Sequence, residues 1–186
     1  LVCPVNAITM KPNIVGDLML YKNEKRVFST AKLHPGNGNS GLLVSEVKKQ
    51  MKDNSNKDIA FAVIDGSPGI GCPVIASLSA VDMVLIVAEP SLSGFSDMER
   101  IIKTARNFET DIMLCVNKYD INAGITEQIK QMCEKEDILF AGCIPYDSSA
   151  IDAINKNKPV TDYEGKASEA IKQIYVKVFE RLLDKV

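Results

Sequence analysis

The sequence predicts an α/β fold in which a mostly parallel sheet carries helices on both faces. Apolar runs at residues 59–64, 81–88 and 111–116, and a fourth candidate at 138–144, have the nearly continuous hydrophobicity of strands that are buried on both faces. Segments with helical spacing of apolar residues separate these runs, and strands that alternate with helices are typical of βαβ units. The length of 186 residues allows one domain, or one domain and a fragment of another.

The elements follow one another in a clear order. Residues 17–33 predict two short strands around a turn at Asn23 and Glu24, and a glycine-rich loop at 36–41 then precedes a first helix. The remaining helical patterns, each placed between or after the apolar runs, lie at about 73–80, 93–107, 124–135, 147–156 and 164–185. We see no internal repeat or low-complexity tract, and the one plausible boundary falls at about 12–35.

The last helical pattern has an apolar stripe, which is compatible with packing on the sheet or with a membrane surface. Its opposite face mixes both signs of charge, whereas a helix that lies on a membrane usually has a cationic face. We therefore expect this helix to pack on the sheet.

Composition excludes several classes of function. The net charge of −2 and the lack of a Lys/Arg block argue against a nucleic-acid binder, and no apolar run approaches the length of a membrane span. One histidine, His34, makes His-rich metal sites improbable on composition alone. The scattered and odd-numbered cysteines indicate a reducing, cytoplasmic compartment; they are Cys3, Cys72, Cys115, Cys133 and Cys143. From their positions, we expect Cys115 and Cys143 to be buried and Cys133, on a polar helix, to be exposed.

An aspartate follows the first apolar run. Asp65 stands where an acid at a strand end lies beside a phosphate-bound Mg²⁺, usually through water. Gly66 and Gly69, with Pro68 between them, give a loop whose backbone can approach a γ-phosphate and switch between conformations. A tight Asp-Gly turn that needs no ligand explains the same residues.

The tetrad Asn117-Lys118-Tyr119-Asp120 directly follows the third run. Ligands bind at the carboxyl ends of strands in open α/β sheets. The carboxamide of Asn117 offers a donor and an acceptor to a purine, and the Lys118 stem can cover the face of the ring. We expect a nucleobase site here, with an ordinary polar turn as the alternative.

A further loop follows the fourth run. Pro145 and Tyr146 lie at its strand end, and either Asp147 or Ser148 is placed to cap the next helix. Capping and a position next to a nucleotide are compatible with each other.

The glycine-rich loop at 36–41 matches the glycine spacing of two phosphate-binding motifs. Leu42 and Leu43 stand where a P-loop needs Lys and Ser/Thr, so nothing there reaches the phosphates or holds Mg²⁺. A flexible turn or an anion contact at a helix N-terminus both remain open. The chain thus has the downstream half of a nucleotide site without a complete phosphate-binding loop.

The stretch IDGSPGIGCPVIASLSAVDMVLIVAEPSLSGFSDMERI resembles the MinD/ParA-type deviant-Walker P-loop ATPases. More narrowly, it is similar to the MinD-superfamily branch with an inserted two-cluster ferredoxin domain, some members of which are labelled as cobyrinic acid a,c-diamide synthase-related. The resemblance implies a P-loop NTPase-like three-layer sandwich that lacks its N-terminal P-loop strand. The Cys3-Pro4 start resembles the last ligand of a ferredoxin run, so residues 1–15 are expected to be a remnant of that insert. Residues 16–186 are expected to be the C-terminal portion of the ATPase domain.

The resemblance also implies roles for individual residues. Asp65 falls on the Walker B acid, which is catalytic and holds Mg²⁺ through water, and Gly66, Pro68 and Gly69 fall on the switch loop. Asn117 falls on the adenine-contacting residue, with Lys118 and Asp120 beside it. Pro145 and Tyr146 flank the base, and Cys3 becomes one ligand of an incomplete 4Fe–4S site.

The implied mechanism belongs to a larger parent protein. Two protomers enclose ATP and Mg²⁺, and hydrolysis is coupled to a protein partner or to an iron–sulfur cluster. Phosphoryl transfer depends on positioning and charge neutralisation, so without the phosphate-binding lysines this chain is expected neither to hydrolyse ATP nor to bind it tightly. The alternatives are an amide-forming enzyme of the cobyrinic acid type, whose glutaminase half needs a Cys–His pair, and a non-catalytic dimerising module.

Overall fold

The computed structural model describes Pro4, Ala7 and residues 11–38, 40–56 and 58–184. The chain divides into two compact units. The first comprises Leu1–Ser67 and Gly71–Ser77, and the second comprises Pro68–Ile70 and Leu78–Val186.

A β-hairpin opens the first unit. Strand β1 (Gly16–Lys22) pairs antiparallel with β2 (Val27–Leu33), as the sequence predicted. The Asn23 carboxamide oxygen closes the turn by accepting hydrogen bonds from the N–H groups of Lys25 and Arg26, at 2.9 and 2.8 Å. This is the local use of Asn that favours it in turns.

Helix α1 (Ser40–Asn54) packs against the hairpin, and the Ser29 hydroxyl donates to the Val47 carbonyl at 2.9 Å. Helix α2 (Cys72–Leu78) lies against α1. The Lys48 ammonium donates to the carbonyl oxygens of Ala76 and Ser77, at 3.0 and 3.1 Å, and thereby caps the C-terminal end of α2. Burial lowers the pKa of Lys48 from its ordinary value.

The prediction of a strand at residues 59–64 is wrong, because the structure contains no strand there. The side chain of Val63 is 76% exposed, although the apolar run predicted burial on both faces. An apolar run indicates only that its side chains are stabilised when other parts of the protein bury them. A strand forms only where a neighbouring strand accepts and donates its backbone hydrogen bonds. The position of Asp65 after a strand is therefore not observed.

A three-stranded parallel sheet organises the second unit, in the order β3 (Met83–Ala88), β4 (Asp111–Asn117) and β5 (Leu139–Ile144). Helices α3 (Leu92–Arg106) and α4 (Ala123–Lys135) make the two crossovers. Helices α5 (Ser149–Asn155) and α6 (Lys166–Leu183) follow β5. The predicted α/β fold with helices on a parallel sheet is confirmed.

Two apolar clusters lie on opposite faces of the sheet, because alternate side chains of a strand point to opposite sides. The first joins the sheet to α3 and α4 and comprises Ile86, Ala88, Met98, Ile102, Leu114, Val116, Ile129, Cys133 and Ile138. The second joins the sheet to α6 and comprises Met113, Cys115, Ala141 and Ile174. The expectation that the last helix packs on the sheet is confirmed.

The cysteines of this unit correct two expectations. Cys133 is buried in the first cluster, with 1% of its surface exposed, and is not exposed as its polar helix suggested. Cys133 lies on the apolar face of α4. Its neighbours in the sequence are mostly polar, so the sequence did not indicate that this position is buried. Cys115 is buried, as expected, whereas Cys143 is half-buried and not fully buried as its apolar strand suggested.

Two arginine ion pairs link elements of this unit at the amino ends of its strands. Arg181 of α6 contacts the Asp111 carboxylate at 3.0 Å, and Arg106 of α3 contacts Glu136 at 2.8 Å. No helix among the described residues is long and apolar enough to cross a membrane.

Candidate functional site

Three loops leave the sheet of the second unit at its carboxyl edge. They begin at Glu89 after β3, at Lys118 after β4 and at Pro145 after β5. The register pairs Ala88 with Val116 and Asn117 with Ile144, so the strands end at nearly the same level. This is the edge at which open α/β sheets bind ligands.

The loop after β4 contains the predicted tetrad. Asn117 is the last residue of β4, and Lys118 turns the chain in the left-handed conformation, with φ 53° and ψ 44°. Tyr119 and Asp120 then belong to a short 3-10 helix, Tyr119–Ile121. The Tyr119 carbonyl accepts a hydrogen bond from the hydroxyl of Thr126, at 2.8 Å, which fastens this turn to α4.

The Lys118 ammonium does not project freely from the edge. It forms an ion pair with the Glu89 carboxylate at 2.6 Å, and both side chains are partly exposed. Glu89 was missed by the sequence reasoning. The strand-end rule that selected Asp65 would have found it, because Glu89 directly follows the last residue of β3.

Asp120 connects the second loop to the third. One oxygen of its carboxylate accepts a hydrogen bond from the backbone N–H of Tyr146, at 2.8 Å. The Tyr146 side chain itself is 53% exposed at this edge. These contacts bring Lys118, Asp120 and Tyr146 to one edge of the sheet, with Glu89 as a fourth member.

Asp147 performs the capping role. Its carboxylate accepts hydrogen bonds from the N–H of Ser149, at the start of α5, and from the N–H of Ala167, in the first turn of α6, at 2.9 and 3.2 Å. The Ser149 hydroxyl and these backbone N–H groups hold the pKa of Asp147 below its ordinary value. Ser148 makes no capping hydrogen bond, so of the two predicted caps it is Asp147 that the structure uses.

The turn into α3 fixes the position of Glu89. The Ser91 hydroxyl accepts a hydrogen bond from the Gly94 N–H at 3.0 Å and so caps the helix. A Cβ atom on Gly94 would lie 2.4 Å from the Glu89 carbonyl oxygen. Only glycine allows this close approach.

The other predicted residues lie on the segment before α2. Asp65 and Gly66 belong to the first unit, and Pro68 and Gly69 belong to the second. Gly69 has φ 89°, a conformation that favours glycine. Mg²⁺ in nucleotide sites takes one or two carboxylates together with waters and phosphates, so the exposed Asp65 has suitable chemistry for it.

The glycine-rich loop leads to a close contact inside the first unit. A Cβ atom on Gly41 would lie 2.9 Å from the Cβ of Cys72, so the first turns of α1 and α2 touch at this glycine. Cys72 is exposed and has a free thiol.

The described cysteines do not fit an iron–sulfur cluster. Such clusters are held by four cysteines, and Cys115 and Cys133 are buried in different apolar clusters. Among the described residues, no group of three or more His, Cys, Asp or Glu side chains is placed to hold a metal ion. The predicted ligand Cys3 lies outside the described residues.

The chain is similar in sequence to several known proteins. The chain is 30% identical over 148 residues to the uncharacterized protein MJ0578 of Methanocaldococcus jannaschii, across 80% of this chain and 49% of that protein. It is 29% identical to the septum site-determining protein MinD of Escherichia coli K12, across 74% of this chain and 54% of MinD. It is 26% identical to an iron-sulfur cluster carrier protein of Methanococcus maripaludis, across 73% of this chain and 52% of the carrier. The chain thus spans about half the length of the curated relatives it matches, and no protein-family model matches it.

A solved structure has a similar fold over three quarters of this chain. The MinD cell division protein of Aquifex aeolicus superposes with a TM-score of 0.61 at 19% identity, over 75% of this chain and 61% of that one. Together with the parallel sheet and its strand-end loops, this establishes that the chain has the fold of the MinD-type P-loop ATPases.

Proposed function

We propose that this chain is part of a MinD-like ATPase and that the carboxyl edge of its sheet binds the base of ATP. The observation that carries the proposal is the meeting of the Asn117–Asp120 turn with Tyr146 at that edge, on a MinD-type fold. The Asn117 carboxamide matches the donor and acceptor on the adenine edge, and Tyr146 offers a partly exposed ring at the same edge of the sheet. Lys118, Asp120 and Pro145 form the surrounding walls.

The phosphate end of the nucleotide is proposed to depend on further parts of a larger protein. In this arrangement Asp65 holds Mg²⁺ through water, and the loop at Gly66, Pro68 and Gly69 follows the state of the γ-phosphate. Exposed apolar side chains support a larger fold, since Val63 is 76% and Val87 is 57% exposed although both lie in runs typical of buried strands. In that protein, two copies enclose the nucleotide.

Coupling to an iron–sulfur cluster is the finer part of the proposal. It is supported by the relative that is described as an iron-sulfur cluster carrier, and by the Cys3-Pro4 sequence. An amide-forming enzyme of the cobyrinic acid type is less well supported. The His34 imidazole that its Cys–His pair would need is bonded to the Asp17 carboxylate in the hairpin, at 2.8 Å.

Nuclear magnetic resonance titration of the chain with Mg-ATP and Mg-GTP tests the base site, because it detects weak binding. We expect Mg-ATP to shift the resonances of Asn117 and Tyr146, and the Asn117→Ala variant to lose that response. Asn107→Ala is the matched control, since Asn107 is an exposed residue at the C-terminal end of α3, where the chain returns toward the opposite edge. Unchanged edge resonances at saturating Mg-ATP would reject the base site.

Calorimetry tests the second part of the proposal, that the chain alone binds ATP only weakly. We expect no tight binding and no hydrolysis above a protein-free control. Micromolar, ATP-selective binding would show that a phosphate cradle exists within this chain. The glycine-rich loop at 36–41 would then become its best candidate.

A further inference from the structure

The three loops of the carboxyl edge are tied together by side chains that a sequence motif alone would assign to the ligand. Glu89 bonds Lys118, and Asp120 bonds the backbone of Tyr146. We propose that Glu89 and Asp120 are positioning residues, which brace the loops so that Asn117 and Tyr146 face a nucleobase. This inference rests on the proposed nucleotide site and adds Glu89, which no motif selected.

The first brace joins the loops after β3 and β4. Lys118 turns the chain out of β4 with a left-handed backbone, φ 53° and ψ 44°. The Glu89 carboxylate at 2.6 Å fixes the far end of that side chain. An exposed ion pair adds little to global stability, so the expected effect of Glu89 is on the geometry of the tetrad.

The second brace joins the loops after β4 and β5. A hydrogen bond from a backbone N–H to a carboxylate is stronger than one to a neutral acceptor, and it fixes main chain as well as side chain. The Asp120 carboxylate therefore sets the position of Tyr146. Pro145, with its fixed φ, stiffens the same loop.

The braces bear on which base the site accepts. Guanine presents two adjacent donors and requires paired acceptors such as a free carboxylate, whereas adenine presents a donor and an acceptor to an amide. One oxygen of Asp120 is already bound to Tyr146, and the ammonium of Lys118 is bound to Glu89. The second oxygen of Asp120 can still accept a hydrogen bond, so the expected preference for adenine rests on the Asn117 carboxamide of the proposed ATP site.

Hydrogen exchange of the Tyr146 amide tests the Asp120 brace without any nucleotide. We expect Asp120→Ala to accelerate this exchange roughly tenfold, since a hydrogen bond to a charged acceptor is lost. Asp120→Asn keeps an oxygen acceptor and should restore most of the protection. Asp162→Ala is the matched control, because Asp162 is an exposed acid in the other 3-10 helix, Val160–Asp162. Unchanged Tyr146 exchange in Asp120→Ala would overturn the brace.

Selectivity between adenosine and guanosine, followed by resonance shifts, tests what the braces are for. Glu89→Gln and Asp120→Ala should lower the preference for adenosine, and the melting temperature of Glu89→Gln should stay unchanged because its ion pair is exposed. Exchanging the charges, with Glu89→Lys and Lys118→Glu together, should restore it. If Asp120→Asn lowers the preference as strongly as Asp120→Ala does, the carboxylate reads the base directly and the positioning role is wrong.

The two readouts separate the inference from the function on which it rests. Tyr146 exchange that responds as expected, with neither nucleoside binding the wild-type chain, would support the brace and reject the nucleotide site. Nucleoside binding with Tyr146 exchange unaffected by Asp120→Ala would support the site and overturn the brace.

Discussion

The turn that carries Glu89 can be tested through Gly94→Ala. The new Cβ atom would lie 2.4 Å from the Glu89 carbonyl oxygen and 3.0 Å from the Ser91 hydroxyl oxygen. Because such contacts are essentially never shorter than 3.0 Å, the Glu89 carbonyl must move by roughly 0.6 Å. Overpacking of this kind lowers the free energy of unfolding by about 1–3 kcal/mol, and the better helix propensity of alanine offsets up to about 1 kcal/mol of that loss. We expect a net destabilisation of about 1–2 kcal/mol.

Gly124→Ala is the matched control, because Gly124 lies in the first turn of α4 as Gly94 lies in that of α3. Its Cβ would meet nothing closer than the Asn122 side-chain oxygen at 3.5 Å, an ordinary contact. We expect the control to gain up to about 1 kcal/mol and Gly94→Ala to lose roughly 2–8 °C in melting temperature. The assay is thermal unfolding followed by circular dichroism. Equal stabilisation of the two variants would refute the steric argument at Gly94.

Three further predictions concern the core, the cap and the thiols. Leu114→Ala removes a fully buried side chain and should cost about 2–5 kcal/mol in urea unfolding, whereas Leu92→Ala, at a position 82% exposed, should stay within about 0.5 kcal/mol; equal costs would contradict the described core. The lowered pKa of Asp147 means that its contribution to stability is present above the ordinary value of 3.8 and is lost as pH falls through the lower folded-state value. Acid unfolding of Asp147→Ala should therefore be less pH-dependent than that of the wild type in this range, and parallel curves would count against the cap. Burial, with a smaller effect of Glu134, raises the pKa of Cys133 to about 11, so iodoacetamide should modify the exposed Cys72 long before it, as read by peptide mass spectrometry; faster labelling of Cys133 would contradict its burial.

The sequence predicted helices and strands correctly where other described elements bury their apolar faces. The runs of β3 and β4 are buried by α3, α4 and α6, and each of those helices was expected from its own spacing. The run at 59–64 has the same composition but forms no strand. Composition indicates only that a segment is apolar enough to be buried. Which elements bury it depends on the tertiary structure.

Residue type and strand-end position selected Lys118, Asp120 and Tyr146, which lie at one edge of the sheet, but did not predict which groups they contact. Lys118 and Asp120 were selected as ligand contacts, and the structure shows that they bond Glu89 and the Tyr146 backbone. These bonds connect residues 29 and 26 positions apart, so no local spacing rule could have found them. The Asp147 cap, by contrast, was predictable because its contact with Ser149 spans two residues.

Lys118 and Asp120 bond other groups of the protein, so the four residue types of the tetrad do not by themselves predict which groups contact a ligand. Four residues at a strand end define a set of donors and acceptors, but a group already bonded within the protein presents less of its chemistry to solvent. Here the lysine and one carboxylate oxygen are engaged, and the engaging partners come from the loops after the two neighbouring strands. What the edge offers a ligand is therefore set by three loops together. A variant of this chain with the same tetrad but no acid at position 89 should hold its lysine differently and, at the proposed nucleotide site, select bases less sharply.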